Sequence, residues 1–455
     1  MTNNLNLEIK NFGLINEANI EINKINVIGG INSSGKSTAS KLLYGFLKAN
    51  SLKQREDLIK NFTGYLNGVI ESAPHSGKPF IKFVSIHENL SDIIKTYNSY
   101  KDVMDDGLIE EMDYILELLS LSENELSSRL TLDYIKYGSL QYFVDKSFYH
   151  LGQEFGHGGS ARLYCDNFES SVERIKLNDE STENNKKYDI EDQYFDYKTE
   201  GTLNNVYDVF YISSISIFDI NEYYNGRSGI SKKYIYMLEE HDKNLLDNLG
   251  NEATYNVSIN ILKKINDVRK KIELIIQGKF KDNSSFKNEF YYSSASNTSS
   301  GTKQIGIIQM LLNNYRLIPG TFLILDEPEV NLHPEWQFKF AEILVLLAKE
   351  LNIRIYINSH SPMFIESIDA FCEYYDMEKD INYYLTEKFE TEKHEFKPIH
   401  KYMNKEEYEL NKKFDTKHKF NFTKINSNEL YKIYDNLGNP YHLIDQLRLK
   451  KRLGE

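Results

Sequence analysis

The sequence predicts an α/β protein: a mixed, largely parallel sheet with an antiparallel β part and a large helical insertion. Three observations carry this. A β-type run ends in GGINSSGKST at residues 29–38, and an apolar helical pattern follows at once. A second run, TFLILDEP, closes on two carboxylates, Asp326 and Glu327. A third, IRIYINSHSP, alternates and delivers Ser359 and His360. Strand, helix and strand then alternate over 320–365, as a parallel core requires, because parallel strands need crossover connections.

The elements follow in chain order. LNLEIKNFG and ANIEINKINVIG alternate apolar and polar residues, which predicts two or three short strands with a turn near Asn16. KSTASKLLYGFLK places Leu42, Leu43, Phe46 and Leu47 on one helical face. From 51 to about 150, stripes such as Ile93, Ile94, Tyr97, Tyr100 and Ile109, Met112, Ile115, Leu116, Leu119 predict an inserted helical lobe. The heptads are too short-lived for an extended coiled coil. RLYCDNF, SVERIKL and VFYISSISIF are strand candidates, and LNDESTENNKKYDIEDQ between them reads as a polar loop. Residues 231–278 return to helix. The expected segments are 1–50, first part of the core; 51–158, helical lobe; 159–290, β-rich stretch and helices; 291–375, second part of the core; 376–455, C-terminal accessory region.

Composition narrows the function classes. Of 455 residues, 40% are hydrophobic and 27% charged, which fits a globular protein with a real core. The net charge of −13 argues against a surface coated for nucleic acid, though one basic groove on an acidic body stays open. Cys165 and Cys372 are the two cysteines, so neither a disulfide framework nor a Cys-rich zinc site is expected, and a reducing cytoplasm fits. MTNNLNLEIK lacks a signal pattern, and no window approaches 18 apolar residues, so no membrane span is expected. His394, His400 and His418 are too scattered for a metal site. Arg448, Lys450, Lys451 and Arg452 read as a solvated helix end complementing its dipole.

The chemistry lies in the three runs. Gly30 to Ser37 match G-x-x-x-x-G-K-[ST] between a strand and a helix, the context that motif needs. Glycines let successive backbone N–H groups of Gly30, Asn32, Ser33, Ser34, Gly35 and onward to Thr38 wrap a polyphosphate at a helix N-terminus. Lys36 is placed to bridge β- and γ-phosphates, and the Ser37 hydroxyl to take a position on Mg²⁺. Asp326 stands where α/β sheets hold ligands and suits Mg²⁺; Glu327 suits the general base for an attacking water. His360 ends the following strand, where a γ-phosphate sensor would sit.

A further stretch, SSASNTSSGTKQ at 293–304, looks like a linker but runs straight into a helical pattern of Ile305, Ile308, Leu311 and Leu312. With NSSGKST, LILDEPE and NSHSP it completes a set that resembles the ABC-type ATPases of the SMC, RecF and OLD-like group. The resemblance implies an ABC-type ATPase head using ATP and Mg²⁺. It makes Ser299, Ser300 and Gly301 the signature motif, which meets the γ-phosphate held by a second copy in a head-to-head homodimer or larger homo-oligomer. Thr302 stands where the family has Gln or Glu. Glu329 to His333 correspond to the family's D-loop. The family's Mg²⁺-sensing glutamine has three candidates, Gln141, Gln153 and Gln193.

Three functions compete. The first is a switch ATPase of anti-phage defence or DNA metabolism, controlling a separate effector, a nuclease or toxin, with nucleic acid as a further partner. The second is the ATP-binding subunit of a membrane transporter, which usually carries a clean LSGGQ and a compact head. The third, an intrinsic nuclease, needs clustered carboxylates, and no Asp-x-Asp occurs after His360. The first reading is favoured.

Overall fold

The computed structural model describes residues 5–53, 159–175, 194–213, 217–218, 240–250, 257–390 and 418–438, apart from 202, 204, 283 and 284. The helical lobe expected over 51–158 therefore lies outside the described residues, save its first three. So do Gln141, Gln153, Gln193 and the basic stretch at 448–452.

Strand β1 (Leu5–Phe12) turns into β2 (Ile15–Ile22) with Phe12 opposite Ile15. The turn stands at Gly13, whose φ of 54° is left-handed, and not near Asn16, which lies within β2. Glycine takes that conformation without a Cβ clash. β3 (Ile25–Gly29) is buried throughout and leads to α1 (Lys36–Ala49). Next come β4 (Ser160–Cys165), β5 (Phe168–Ile175), β6 (Tyr194–Gly201) and β7 (Val209–Ile212). Helices α2 (Glu240–Gly250) and α3 (Ile259–Ile276) precede a small sheet of β8 (Lys279–Asp282), β9 (Ser285–Lys287) and β10 (Tyr292–Ser294). The chain closes with α4 (Ser300–Asn313), β11 (Phe322–Asp326), α5 (Pro334–Leu351), β12 (Arg354–Ser359), α6 (Pro362–Tyr374), β13 (Ile381–Glu390) and β14 (His418–Ile425). Residues 431–438 are helical.

The main sheet has eleven strands in the order β6-β5-β4-β1-β2-β14-β13-β3-β12-β11-β7. Pairing is parallel from β13 through β3, β12 and β11 to β7, and antiparallel from β6 to β2. The stretch set apart as an accessory region, 376–455, contributes β13 and β14 to the middle of this sheet. These two strands join the parallel half to the antiparallel half.

Alternation sorts side chains between two cores. Leu323, Leu325, Ile355, Ile357, Ile25 and Val27 meet the layer of α3, α4, α5 and α6. Phe322, Ile324, Tyr356 and Ile28 face the other way, onto Ala39, Leu42, Leu43, Phe46 and Leu47 of α1. The central strands are thus apolar on both faces, as parallel strands covered by helices must be. A buried ion pair fixes the far end of α1: Lys48 Nζ donates to Asp208 Oδ1 at 2.6 Å and to Asn244 Oδ1 at 2.9 Å. It ties α1 to the entry of β7 and to α2. Removing one partner of such a pair costs about 3–5 kcal/mol, because the other charge stays buried.

Candidate nucleotide site

The parallel register brings three of the sequence motifs to one sheet edge. Ser359 of β12 pairs with Gly29 of β3, and Asn358 with Asp326 of β11. The loop before α1, the two carboxylates and His360 therefore leave adjacent strands at the same end, where α/β sheets place ligands.

The loop is shaped by two left-handed residues, Ser33 at φ 58° and Gly35 at φ 89°. Gly35 is the N-cap of α1, and no side chain caps that helix. Asn32, Ser33 and Ser37 are exposed, Thr38 is half-buried, and Ser34 and Gly35 are buried. The Lys36 ammonium lies across the loop, donating to Gly30 O at 2.9 Å and Ile31 O at 2.8 Å. Burial lowers its pKa, while Glu327, Asp326 and Glu329 pull the other way. Behind the loop stands β13. Thr386 Oγ1 donates to Ser34 Oγ at 2.9 Å, and a Cβ on Gly30 would fall 1.8 Å from that Thr386 oxygen. Only glycine fits there.

Both oxygens of Asp326 are fixed by neighbours. Tyr211 on β7 donates its hydroxyl to Oδ2 at 3.0 Å, and Asn358 Nδ2 donates to Oδ1 at 2.9 Å. Asn358 also donates to Ser40 Oγ at 3.0 Å, and Ser40 donates to Ser37 O at 3.0 Å. This network holds Asp326 against the first turns of α1. Sequence reading missed Tyr211, Ser40 and Asn358. A polar residue in an apolar strand was the available signal for Asn358. Nothing short of the sheet order shows that β7 neighbours β11.

Glu327 is left-handed at φ 52°, a costly conformation for a residue with a Cβ, and its N–H donates to Asn358 O at 2.9 Å. Its Oε1 lies 3.3 Å from His360 Nδ1, within ion-pair reach but outside hydrogen-bond alignment. Glu329, which the sequence placed at the start of the D-loop stretch and gave no role in catalysis, is 3% exposed. Its Oε1 accepts from Ser359 Oγ at 2.7 Å, His360 N at 3.1 Å and Ser361 N at 3.2 Å. Burial raises its pKa, and the Ser359 hydroxyl and the His360 N–H oppose the shift.

The signature stretch is brought elsewhere. Ser299 caps α4, its hydroxyl accepting from Thr302 N at 3.2 Å. A Cβ on Gly301 would meet Asn331 O at 3.1 Å and Leu332 Cδ2 at 3.3 Å. So Gly301 packs on the loop of Glu329 to His333, next to the carboxylates, and not on the phosphate-binding loop.

Ser37 and Asp326 supply hard oxygen donors that fit Mg²⁺, which binds through one or two such side chains plus nucleotide phosphates and water. The Gly30 cradle and the uncapped start of α1 fit the phosphates. Among the described residues no group of three His, Cys, Asp or Glu forms a separate metal site, and no helix is long and apolar enough to cross a membrane.

The family described as AAA ATPase domain matches residues 5–365. No curated protein matches the chain. Among solved structures, an SMC head domain from Thermotoga maritima is 12% identical, covering 85% of this chain and 95% of its own, with a TM-score of 0.35. An Smc head domain bound to the C-terminal domain of ScpA, from Pyrococcus furiosus, is 10% identical, with 84% and 92% covered and a TM-score of 0.33. An ATP-binding cassette of an ABC transporter, in its ADP conformation, is 13% identical, with 85% and 87% covered and a TM-score of 0.30. The match over residues 5–365 means that the chain belongs to the AAA ATPase domain family.

Proposed function

We propose that this chain is a Mg²⁺-dependent ATP-hydrolysing switch whose heads close in pairs over two nucleotides and so control a separate effector protein. The observation that carries it is the convergence of Lys36, Asp326, Glu327 and His360 on one sheet edge, with Gly301 seated on the loop beside them. In this reading Gly30 to Thr38 bind the phosphates and Lys36 spans the β- and γ-groups. Ser37 and Asp326 hold Mg²⁺, which would neutralise phosphate charge when bound. Glu327 takes the proton of the attacking water, and His360 reads the γ-phosphate. Ser299, Ser300 and Gly301 of one copy complete the site of the other. The biological setting follows from the motif resemblance: anti-phage defence or DNA metabolism, with a nuclease or toxin as the effector.

Light scattering on Glu327→Gln, with and without ATP, tests this reading. Loss of the base should trap a closed assembly, so ATP should at least double the mass while hydrolysis falls on the order of 100-fold or more. The material that co-purifies then identifies the partner. A monomer in both states, or recovery only with a membrane protein, would move the reading to a transporter subunit. Hydrolysis by Glu327→Gln at the parent rate removes Glu327 as the base.

A further inference from the structure

We propose that Glu329 is a positioning residue for the Glu327–His360 pair, clamping the loop after β11 to the junction of β12 and α6. The inference rests on the ATPase reading above.

The clamp has two ends. At the first, Glu327 N–H donates to Asn358 O, fixing the left-handed turn that leaves β11. At the second, one carboxylate oxygen of Glu329 gathers Ser359 Oγ, His360 N and Ser361 N. Residues 327–329 are thereby bound to residues 358–361 on both sides of His360, whose Nδ1 stands 3.3 Å from Glu327 Oε1 and 3.7 Å from Glu329 Oε1.

A capping role does not account for Glu329. Helix α6 already has its cap, because Ser361 Oγ accepts from Phe364 N at 3.2 Å. The second Glu329 oxygen is buried and has no hydrogen-bond partner. A buried polar side chain is costly to keep, and the start of α6 does not need one from Glu329. What Glu329 adds is a single atom joining three successive residues of the His360 turn to the segment that carries Glu327. The same segment runs on through Val330 N to Glu327 O and Leu332 N to Glu329 O into the loop under Gly301. The clamp therefore sets His360, Glu327 and the floor of the signature together.

The experiment is a cycle of Glu329→Ala, His360→Ala and the double variant, read as ATPase kcat and KM, affinity for a fluorescent ATP analogue, and thermal melting. A displacement of about 1 Å at a reacting group costs on the order of 100-fold. Glu329→Ala should accordingly lower kcat at least tenfold, with KM and analogue affinity within about twofold of the parent. On the His360→Ala background it should cost less than about twofold, because its effect passes through that residue. Glu329→Gln keeps an acceptor oxygen for the three donors and should retain most of the rate. Glu329→Asp keeps the charge but is one methylene short, and should be as slow as the alanine variant; it serves where Glu329→Ala does not fold. Losses that multiply in the double variant overturn the proposal, as does a parent-like rate from Glu329→Asp or a glutamine variant as slow as alanine. A parent that binds ATP and never hydrolyses it overturns the ATPase reading instead.

Discussion

Two helices of this protein begin at small-residue loops of similar composition, and they begin in opposite ways. Helix α1 starts after Gly35, left-handed, with no side-chain cap. Helix α4 starts after Ser299, extended, with the serine hydroxyl accepting from Thr302 N. The caps of α3, α5 and α6 are also of the second kind, supplied by Ser258, His333 and Ser361. The first N–H groups of a helix need partners. At α4 the chain supplies one. At α1 no side-chain cap is made, and a cation, Lys36, lies across the loop before it. One helix start carries no side-chain cap, and the other is capped by its own serine. Small polar residues before a helix are therefore not enough to mark an anion site; both helices carry a buried lysine near the start, Lys36 and Lys303, and the absence of a side-chain cap at α1 is what separates the two.

The comparison can be broken at Lys36, and the effect there should be largest. Lys36→Ala removes a charged donor worth about 1.5–3 kcal/mol, so affinity for ATP should fall roughly 10- to 100-fold, measured by titration with a fluorescent analogue. An unchanged affinity would mean that the open helix start alone holds the nucleotide. Gly30→Ala comes next. Its Cβ would collide with Thr386 Oγ1, so the loop or β13 must move, at about 1–3 kcal/mol and with weaker binding. Adding Thr386→Ala should restore part of both losses. No recovery would show that the glycine is required for the approach of phosphate and not for packing on β13.

Much of the α1 side of this comparison was legible in the sequence. GGINSSGKST, TFLILDEP and IRIYINSHSP carry their own periodicity and end residues, and β3, α1, β11 and β12 form where they predict. The same local signals gave strands at RLYCDNF and in VFYISSISIF. What was not legible depends on pairing. β13 and β14 lie between β2 and β3, although some 350 residues of sequence separate them, so a Lys- and Tyr-rich tail became part of the core. Tyr211 reaches Asp326 only because β7 lies beside β11. Glu329 carried only its place in the D-loop stretch, because its bonds to the turn at 359–361 depend on how β12 lies beside β11. Nor did the sequence show that Ser299 takes up a backbone donor of its own helix start, Thr302 N.

The α4 side yields the smaller effects, and they test the comparison most finely. Ser299→Ala deletes the cap, which should cost about 1 kcal/mol of stability while the ATP affinity of the monomer stays at the parent value. A fall in monomer affinity would mean that the signature reaches the nucleotide within its own chain, against the packing of Gly301 on Asn331 and Leu332. Thr302→Val is subtler. The shape is kept and the backbone N–H still donates to Ser299, but the contact of 2.7 Å between the Ser299 and Thr302 hydroxyls is lost. Stability should drop by about 0.5–1.5 kcal/mol, since one hydroxyl–hydroxyl bond is exchanged for none. The Ser299 hydroxyl then has one partner fewer inside its own chain. If the signature serves the γ-phosphate of a second copy, that hydroxyl becomes freer to bond it. The ATP-dependent dimer of the Glu327→Gln background should therefore hold as well with Thr302→Val as without it, even though the monomer is less stable. A dimer weakened beyond that stability loss would show that Thr302 itself contacts the second copy.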